Sequence, residues 1–176
     1  MTRPDGAFRR SPHAQAAAMQ QLWPSFIGQK FGDGTLAWGG LLQPQAQVYV
    51  VEVFWNPRVL DRPYVVVAGP AIEPRQGLDY AAIPHLMFND AEPTRSGLCL
   101  FDPDGREWTP ADLIAETTIP WTSEWLHYYE LWHLTGEWLA RGVGYESVAE
   151  MRAAEARALR GMIANKLDVP ALGDAA

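Results

Sequence analysis

Cysteine is nearly absent from this sequence, which has a single thiol, Cys99, among 176 residues. One thiol cannot form an intramolecular disulfide, and it cannot supply the paired cysteines of a C-x-x-C metal or redox motif. An unpaired cysteine is also typical of proteins that work in a reducing compartment. Cys99 is therefore either a buried apolar residue or a nucleophile, since free cysteine serves in both ways.

Lysine is scarce as well, because Lys30 and Lys166 stand against twelve arginines. An enzyme that holds an activated acyl group gains from few amines on its own surface, since lysine but not arginine acts as an acceptor near neutral pH. Codon bias in an Ala- and Arg-rich genome explains the same ratio without any function. We favour this second explanation.

Long apolar runs and basic tracts are also missing. No run of apolar residues approaches the ~20 that a membrane-spanning helix needs, and the first residues lack the apolar core of a secretory signal. The net charge is −7, which argues against nucleic acid as the main ligand, because positive patches drive binding to phosphates. The sequence therefore predicts a cytoplasmic protein that binds neither a membrane nor nucleic acid.

The composition is that of one globular domain, with 48 % apolar and 20 % charged residues. We find no internal repeat, no low-complexity tract and no linker to a second domain. The predicted organisation is a flexible N-terminus over 1–10, a single domain over 11–168 and a C-terminal tail over 169–176.

The predicted elements follow an α+β order. Ser11-Pro12 is typical of a helix start. Segments rich in β-branched and aromatic residues follow, and the short turns between them favour an antiparallel meander of three to four strands. These segments cover 35–42, 47–55, 63–68 and, as a short fourth strand, 83–88.

The C-terminal third is predicted to be helical. Thr109-Pro110 and Asp112 predict a helix start, Pro120 interrupts that helix, and the next runs over 121–134 with Gly136 as its C-cap. A third helix is predicted over 151–167. In the middle helix, tryptophans recur at helical spacing and predict one buried aromatic face; they are Trp121, Trp125 and Trp132.

The segment 84–110 surrounds the thiol and reads PHLMFNDAEPTRSGLCLFDPDGREWTP. Cys99 lies in a short apolar run, Gly97 to Leu100, and the turn residues Asp102-Pro103-Asp104-Gly105 follow it. Pro84-His85 and Asn89 precede the run, and Trp108-Thr109-Pro110 comes after it. Cys99 is thus expected beside a turn.

This ordered set resembles the active-site segment of ubiquitin-conjugating enzymes, in which a His-Pro-Asn element precedes a Gly-x-Cys-Leu segment and a Trp-Ser-Pro element follows it. The His-Pro-Asn element is not intact here, because Leu86 follows His85 and the segment is a few residues longer. Two later segments, 119–126 and 129–138, resemble the tail of a bacterial branch encoded beside cyclic-oligonucleotide antiviral defence (CBASS) operons. The similarity covers residues 30–145 approximately.

The resemblance implies a ubiquitin-conjugating-enzyme-like (UBC) fold and an acyltransferase that needs no cofactor. Such an enzyme carries the C-terminus of a partner protein as a thioester on its cysteine and delivers it to an amine. In the branch that this chain resembles, the carried protein is a cyclic-oligonucleotide synthase (CD-NTase). The implied partners are therefore the C-terminus of that synthase and an amine acceptor on a protein.

Three residues form the predicted catalytic set: Cys99, His85 and Asn89. Cys99 is the nucleophile. The resemblance gives His85 a structural role in shaping the loop, with a general base in a Cys-His pair as the alternative. Asn89 is the nearest candidate for a donor to the oxyanion, and an ordinary turn asparagine explains it equally well. Asp102 and Asp104 are explained as turn residues.

Two other functions stay open on the sequence. One is a non-catalytic adaptor of the same fold that binds a C-terminal tail, and the other is a cysteine hydrolase using Cys99 with His85. A tryptophan-rich helix also leaves a dimer or a stable hetero-complex open, because tryptophan is enriched at interfaces. No metal site is expected, since His127 and His133 lack a ligand spacing and there is no second cysteine.

Overall fold

A computed structural model describes residues 8–59, 62–102 and 107–140. The chain divides into two units, Met1–His127 and Tyr128–Ala176, and the single domain over 11–168 stays a prediction. The predicted helix over 151–167 and the tail over 169–176 lie outside the described residues. So does most of the N-terminus that was predicted to be flexible.

Helix α1 spans Pro12–Leu22 and begins where the sequence predicts. The Ser11 hydroxyl accepts a hydrogen bond from the Ala14 N–H at 3.1 Å, which satisfies one of the free N–H groups of the first turn. Pro12 takes the first helical position, where its missing N–H costs nothing. Just before the cap, the Arg10 N–H donates to the Pro110 carbonyl at 2.7 Å.

Helix α1 is tied to the segment that precedes the second helix. Gln15 is fully buried; its side-chain amide donates to the Asp112 carbonyl at 2.8 Å and accepts from the Ile114 N–H at 2.9 Å. Trp23, at the end of α1, donates its indole N–H to the Ala115 carbonyl at 2.7 Å. These bonds satisfy buried polar groups that would otherwise destabilise the fold.

Within the described residues, six strands form one antiparallel sheet, in the order β1-β2-β3-β4-β6-β5. The strands are β1 Ile27–Lys30, β2 Leu36–Leu42, β3 Tyr49–Trp55, β4 Tyr64–Gly69, β5 Leu86–Met87 and β6 Gly97–Leu98. Strands β2, β3 and β4 form a meander as predicted, and β1 extends it at one edge. The predicted fourth strand, β5, does not continue the meander, because β6 lies between β4 and β5. The α+β class is confirmed, but the count of three to four strands is wrong.

Two strands were missed for different reasons. β1 is exposed along its whole length, so it has no apolar alternation for a sequence pattern to detect. β6 has only two residues, and it is a strand because it pairs with both β4 and β5. The predicted fourth strand, 83–88, is reduced to β5 at the edge of the sheet.

The central strands β3 and β4 contribute many of the buried side chains of the first unit. Strand β3 alternates buried and less buried positions, with Val51 and Val53 fully buried, and burial of each such side chain contributes about 1.5–3 kcal/mol. Strand β4 is buried at Val65, Val66 and Val67. These β-branched runs explain why the two central strands are predictable from sequence.

Helix α2 spans Thr118–Thr135, and the helix predicted to start near Thr109 is absent from the described residues. Thr109 instead forms a turn, in which its N–H and its hydroxyl both donate to a carboxylate oxygen of Asp112. Pro120 therefore lies in the first turn of α2, where proline is tolerated. Gly136 has φ +85° and caps the helix as predicted.

Of the three tryptophans predicted to be buried on this helix, two are largely inaccessible to solvent. Trp125 is 5 % exposed and Trp132 is 4 % exposed, whereas Trp121 is half-buried. Within the described part of the chain, no helix has the length and apolar character that crossing a membrane requires.

Candidate functional site

The hairpin made by β5 and β6 positions Cys99. Leu86 pairs with Leu98 in this hairpin, and Cys99 follows β6 directly. One residue beyond this pair, the Cys99 N–H donates a hydrogen bond to the His85 carbonyl at 2.9 Å. The structure therefore brings together two of the three predicted site residues, and it does so through their main chains.

His85 has an unusual backbone conformation. Its φ is +53°, in the left-handed region that few residues other than glycine adopt, although histidine does so more often than most. Its carbonyl accepts a second hydrogen bond, from the indole N–H of Trp125 at 3.0 Å. One carbonyl oxygen thus receives donors from the Cys99 segment and from helix α2.

The thiol of Cys99 is half-buried. Its Sγ lies 3.6 Å from the Phe101 carbonyl and donates a weak hydrogen bond to it. The Phe101 ring meets the Trp121 ring edge to face, with centroids 6.1 Å apart, and the Arg62 guanidinium lies 5.6 Å from the centroid of the Phe101 ring. Phe101 therefore links the partly exposed Cys99 to an aromatic ring of α2 and to a guanidinium group.

Burial, followed by the negative charge of Asp102, raises the pKa of the Cys99 thiol above its ordinary value, and Glu107 adds to the effect. Both carboxylates lie on the segment that follows the thiol, where the Asp102 N–H donates to a Glu107 oxygen at 2.7 Å. At neutral pH the sulfur is therefore mainly a protonated thiol, unlike the activated thiolates of Cys-His pairs.

Asn89 lies toward the other end of the hairpin. Its N–H donates to the Ser96 hydroxyl at 3.1 Å, and its side-chain oxygen accepts from the N–H groups of Ala91 and Glu92 at 3.1 and 3.3 Å. Ser96 lies three positions before Cys99 along extended chain, which corresponds to about 10 Å. The structure does not bring Asn89 to the thiol, and its role toward an oxyanion stays a prediction.

Gly97 is a glycine for a steric reason. A Cβ at this position would lie 2.4 Å from the Tyr64 ring and 2.8 Å from the Met87 methyl group, far inside van der Waals contact. The Tyr64 ring covers the backbone of β6 and donates its hydroxyl to the Arg95 carbonyl at 3.2 Å. The glycine two residues before the cysteine thus permits close packing across the sheet.

Of the elements that follow the thiol, Trp108 is buried and Thr109 forms the turn already described. Asp104 lies outside the described residues. The sequence prediction missed Arg62 and Phe101 as neighbours of the site, and it assigned Trp125 to a buried aromatic face, with no contact to the Cys99 segment. The one usable signal was that a buried indole N–H needs an acceptor, but the pattern of residues does not reveal which acceptor.

Comparison with known families places this geometry in context. The model of a family described as type II CBASS E2 protein matches residues 15–145, which is more than half of the chain and includes the whole sheet, Cys99 and α2. A search of curated proteins finds no match.

Proposed function

The chain belongs to the type II CBASS E2 protein family, and from that membership we propose that Cys99 carries the C-terminus of a partner protein as a thioester and passes it to an amine. The partner in this proposal is a cyclic-oligonucleotide synthase of the bacterial antiviral defence system. Family membership likewise supports a UBC-like arrangement of α1, the sheet and α2. The observation that carries the proposal is the half-exposed thiol at the end of β6.

The proposed reaction has two steps. In the first, the sulfur of Cys99 attacks an activated C-terminal carbonyl, such as an acyl adenylate or another thioester; a C–S bond forms, the leaving group departs and the thiol proton passes to solvent. In the second, the acceptor amine attacks the thioester carbonyl, an amide bond forms and the C–S bond breaks. The sulfur leaves as a thiolate, and the proton released by the amine passes to solvent or to that sulfur.

The geometry around the thiol supports transfer better than hydrolysis by a Cys-His pair. The thiol donates its hydrogen bond to the Phe101 carbonyl, and the His85 carbonyl oxygen accepts the Cys99 N–H. The pKa of Cys99 is raised, whereas an imidazolium partner would lower it. These contacts favour a role for His85 in holding the loop.

The test is incubation of the chain with a candidate synthase, an activating enzyme and ATP, followed by a non-reducing gel. An adduct that added thiol reagent removes supports the thioester. Cys99→Ser should give an oxyester that resists thiols and yields to base, and Cys99→Ala should give no adduct. A stable complex without an adduct would favour the adaptor, and cleavage of the synthase tail would favour the hydrolase.

A further inference from the structure

Helix α2 reaches the Cys99 segment at two points. Trp125 donates its indole N–H to the His85 carbonyl, and that carbonyl also accepts from the Cys99 N–H. Trp121 packs its ring against Phe101, whose carbonyl accepts the Cys99 thiol. We propose that these two tryptophans, the tryptophan clamp, are positioning residues that set the backbone and the sulfur of Cys99.

The spacing of the pair fits this role. Trp121 and Trp125 are four residues apart in one helix, so their side chains lie on the same face one turn apart. The two residues that they contact are the two hydrogen-bond partners of Cys99, one for its N–H and one for its sulfur. A helix is a rigid element, and a pair of contacts from it fixes the cysteine more closely than a short hairpin does.

The bond from Trp125 is the more directional contact. It ends on a residue in the left-handed conformation, which persists only where its surroundings hold it. Without the indole donor, the His85 carbonyl loses this hydrogen bond, and the end of the hairpin loses one of the two described contacts with α2. The Cys99 sulfur then gains contact with water.

The tryptophan clamp would position the cysteine for the proposed function. It depends on the proposed function only in one respect, that the Cys99 thiol is the reacting group. Its test uses the full chain and a reaction that needs no partner. Because Cys99 is the only cysteine, the rate of alkylation by iodoacetamide reports on this thiol alone. The pH dependence of that rate gives the pKa of the thiol in each variant.

Trp125→Phe removes the indole N–H and keeps an aromatic ring. The midpoint of the alkylation profile should shift to lower pH, with about a threefold rise in the thiolate fraction below the midpoint, equivalent to about half a pH unit. The rate of thioester formation should fall about tenfold, since loss of orientation is costly. Replacing Trp125 with benzothienylalanine, in which sulfur stands for the N–H, separates the lost donor from lost ring volume.

The matched control is Trp132→Phe, a similarly buried tryptophan of the same helix that packs on Tyr129 and His133. It should leave the alkylation profile unchanged. The clamp is refuted if both Trp125 variants keep the wild-type profile, or if Trp132→Phe shifts it equally. If the wild-type chain forms no thioester but the Trp125 variants shift the profile, the proposed function fails and the clamp stands.

Discussion

The main-chain carbonyl of His85 accepts the N–H of Cys99 at 2.9 Å, so the histidine and the cysteine are joined by backbone and not by side chains. Since any residue that tolerates a φ of +53° can supply this carbonyl, the bond itself does not require an imidazole. This bond is consistent with a structural role for His85, and replacement of the side chain distinguishes that role from a catalytic one.

Replacement of His85 therefore gives a direct test. His85→Gly should keep thioester formation near the wild-type rate, because glycine adopts the left-handed conformation without strain and retains the carbonyl. A general base would instead contribute about 10²–10⁴-fold. Single-turnover rates of the two proteins, with the melting temperature as a control for folding, decide the question, and a loss of that size in a folded variant would make His85 the base.

Removal of the thiol should abolish transfer without unfolding the protein. Because Cys99 is half-buried, Cys99→Ala should change the free energy of unfolding by less than ~1 kcal/mol. Urea denaturation monitored by tryptophan fluorescence measures this change. A much larger loss would show that the cysteine serves mainly as core, and transfer that survives the substitution would exclude the thioester.

The substitution Asn89→Asp distinguishes a turn-forming role of Asn89 from a role as hydrogen-bond donor to an oxyanion. Aspartate keeps an oxygen that accepts from the N–H groups of Ala91 and Glu92, but its carboxylate cannot donate to an oxyanion. We expect the stability and the amine-transfer rate to stay near wild type in Asn89→Asp. In Asn89→Ala, which loses the acceptor as well, stability should fall by about 0.5–1.5 kcal/mol. A folded Asn89→Asp variant that forms the thioester but cannot discharge it would support the oxyanion role.

Neutralising Asp102 should make the thiol more reactive at neutral pH. The charge of Asp102 raises the pKa of Cys99, so Asp102→Asn removes a repulsion that opposes the thiolate and moves the alkylation midpoint to lower pH. Glu107→Gln should shift it in the same direction by less, because Glu107 is the weaker of the two causes. An unchanged midpoint in Asp102→Asn would show that the charge of Asp102 does not raise the pKa of Cys99 and that burial accounts for the shift.

Gly97→Ala should destabilise the sheet, because the added Cβ would lie 2.4 Å from the Tyr64 ring. Overpacking of this kind costs about 1–3 kcal/mol. Gly39→Ala on β2 is the matched control, since a Cβ there meets nothing within 4 Å. Combining Gly97→Ala with Tyr64→Leu should recover part of the loss in thermal denaturation. Equal effects of the two alanine substitutions would show that contact with Tyr64 is not the cause.

Local sequence patterns predicted the start of α1, the end of α2 and the two central strands. The serine and proline at 11 and 12 start α1, Gly136 ends α2, and the β-branched runs form β3 and β4. Each of these features depends on residues within a few positions of one another, through a cap, a turn or an alternation of burial. The only cysteine and the order of the motifs around it also indicated the family to which the chain belongs.

Only the tertiary structure decided how the site is held. The His85 carbonyl accepts a hydrogen bond from the indole N–H of Trp125, which lies 40 residues further along the chain. Strand β6 exists because its two residues pair with strands on both sides. The residues after Thr109 form turns where the local signal predicts a helix. Such features depend on register and packing between distant segments, which residue patterns along one segment do not encode.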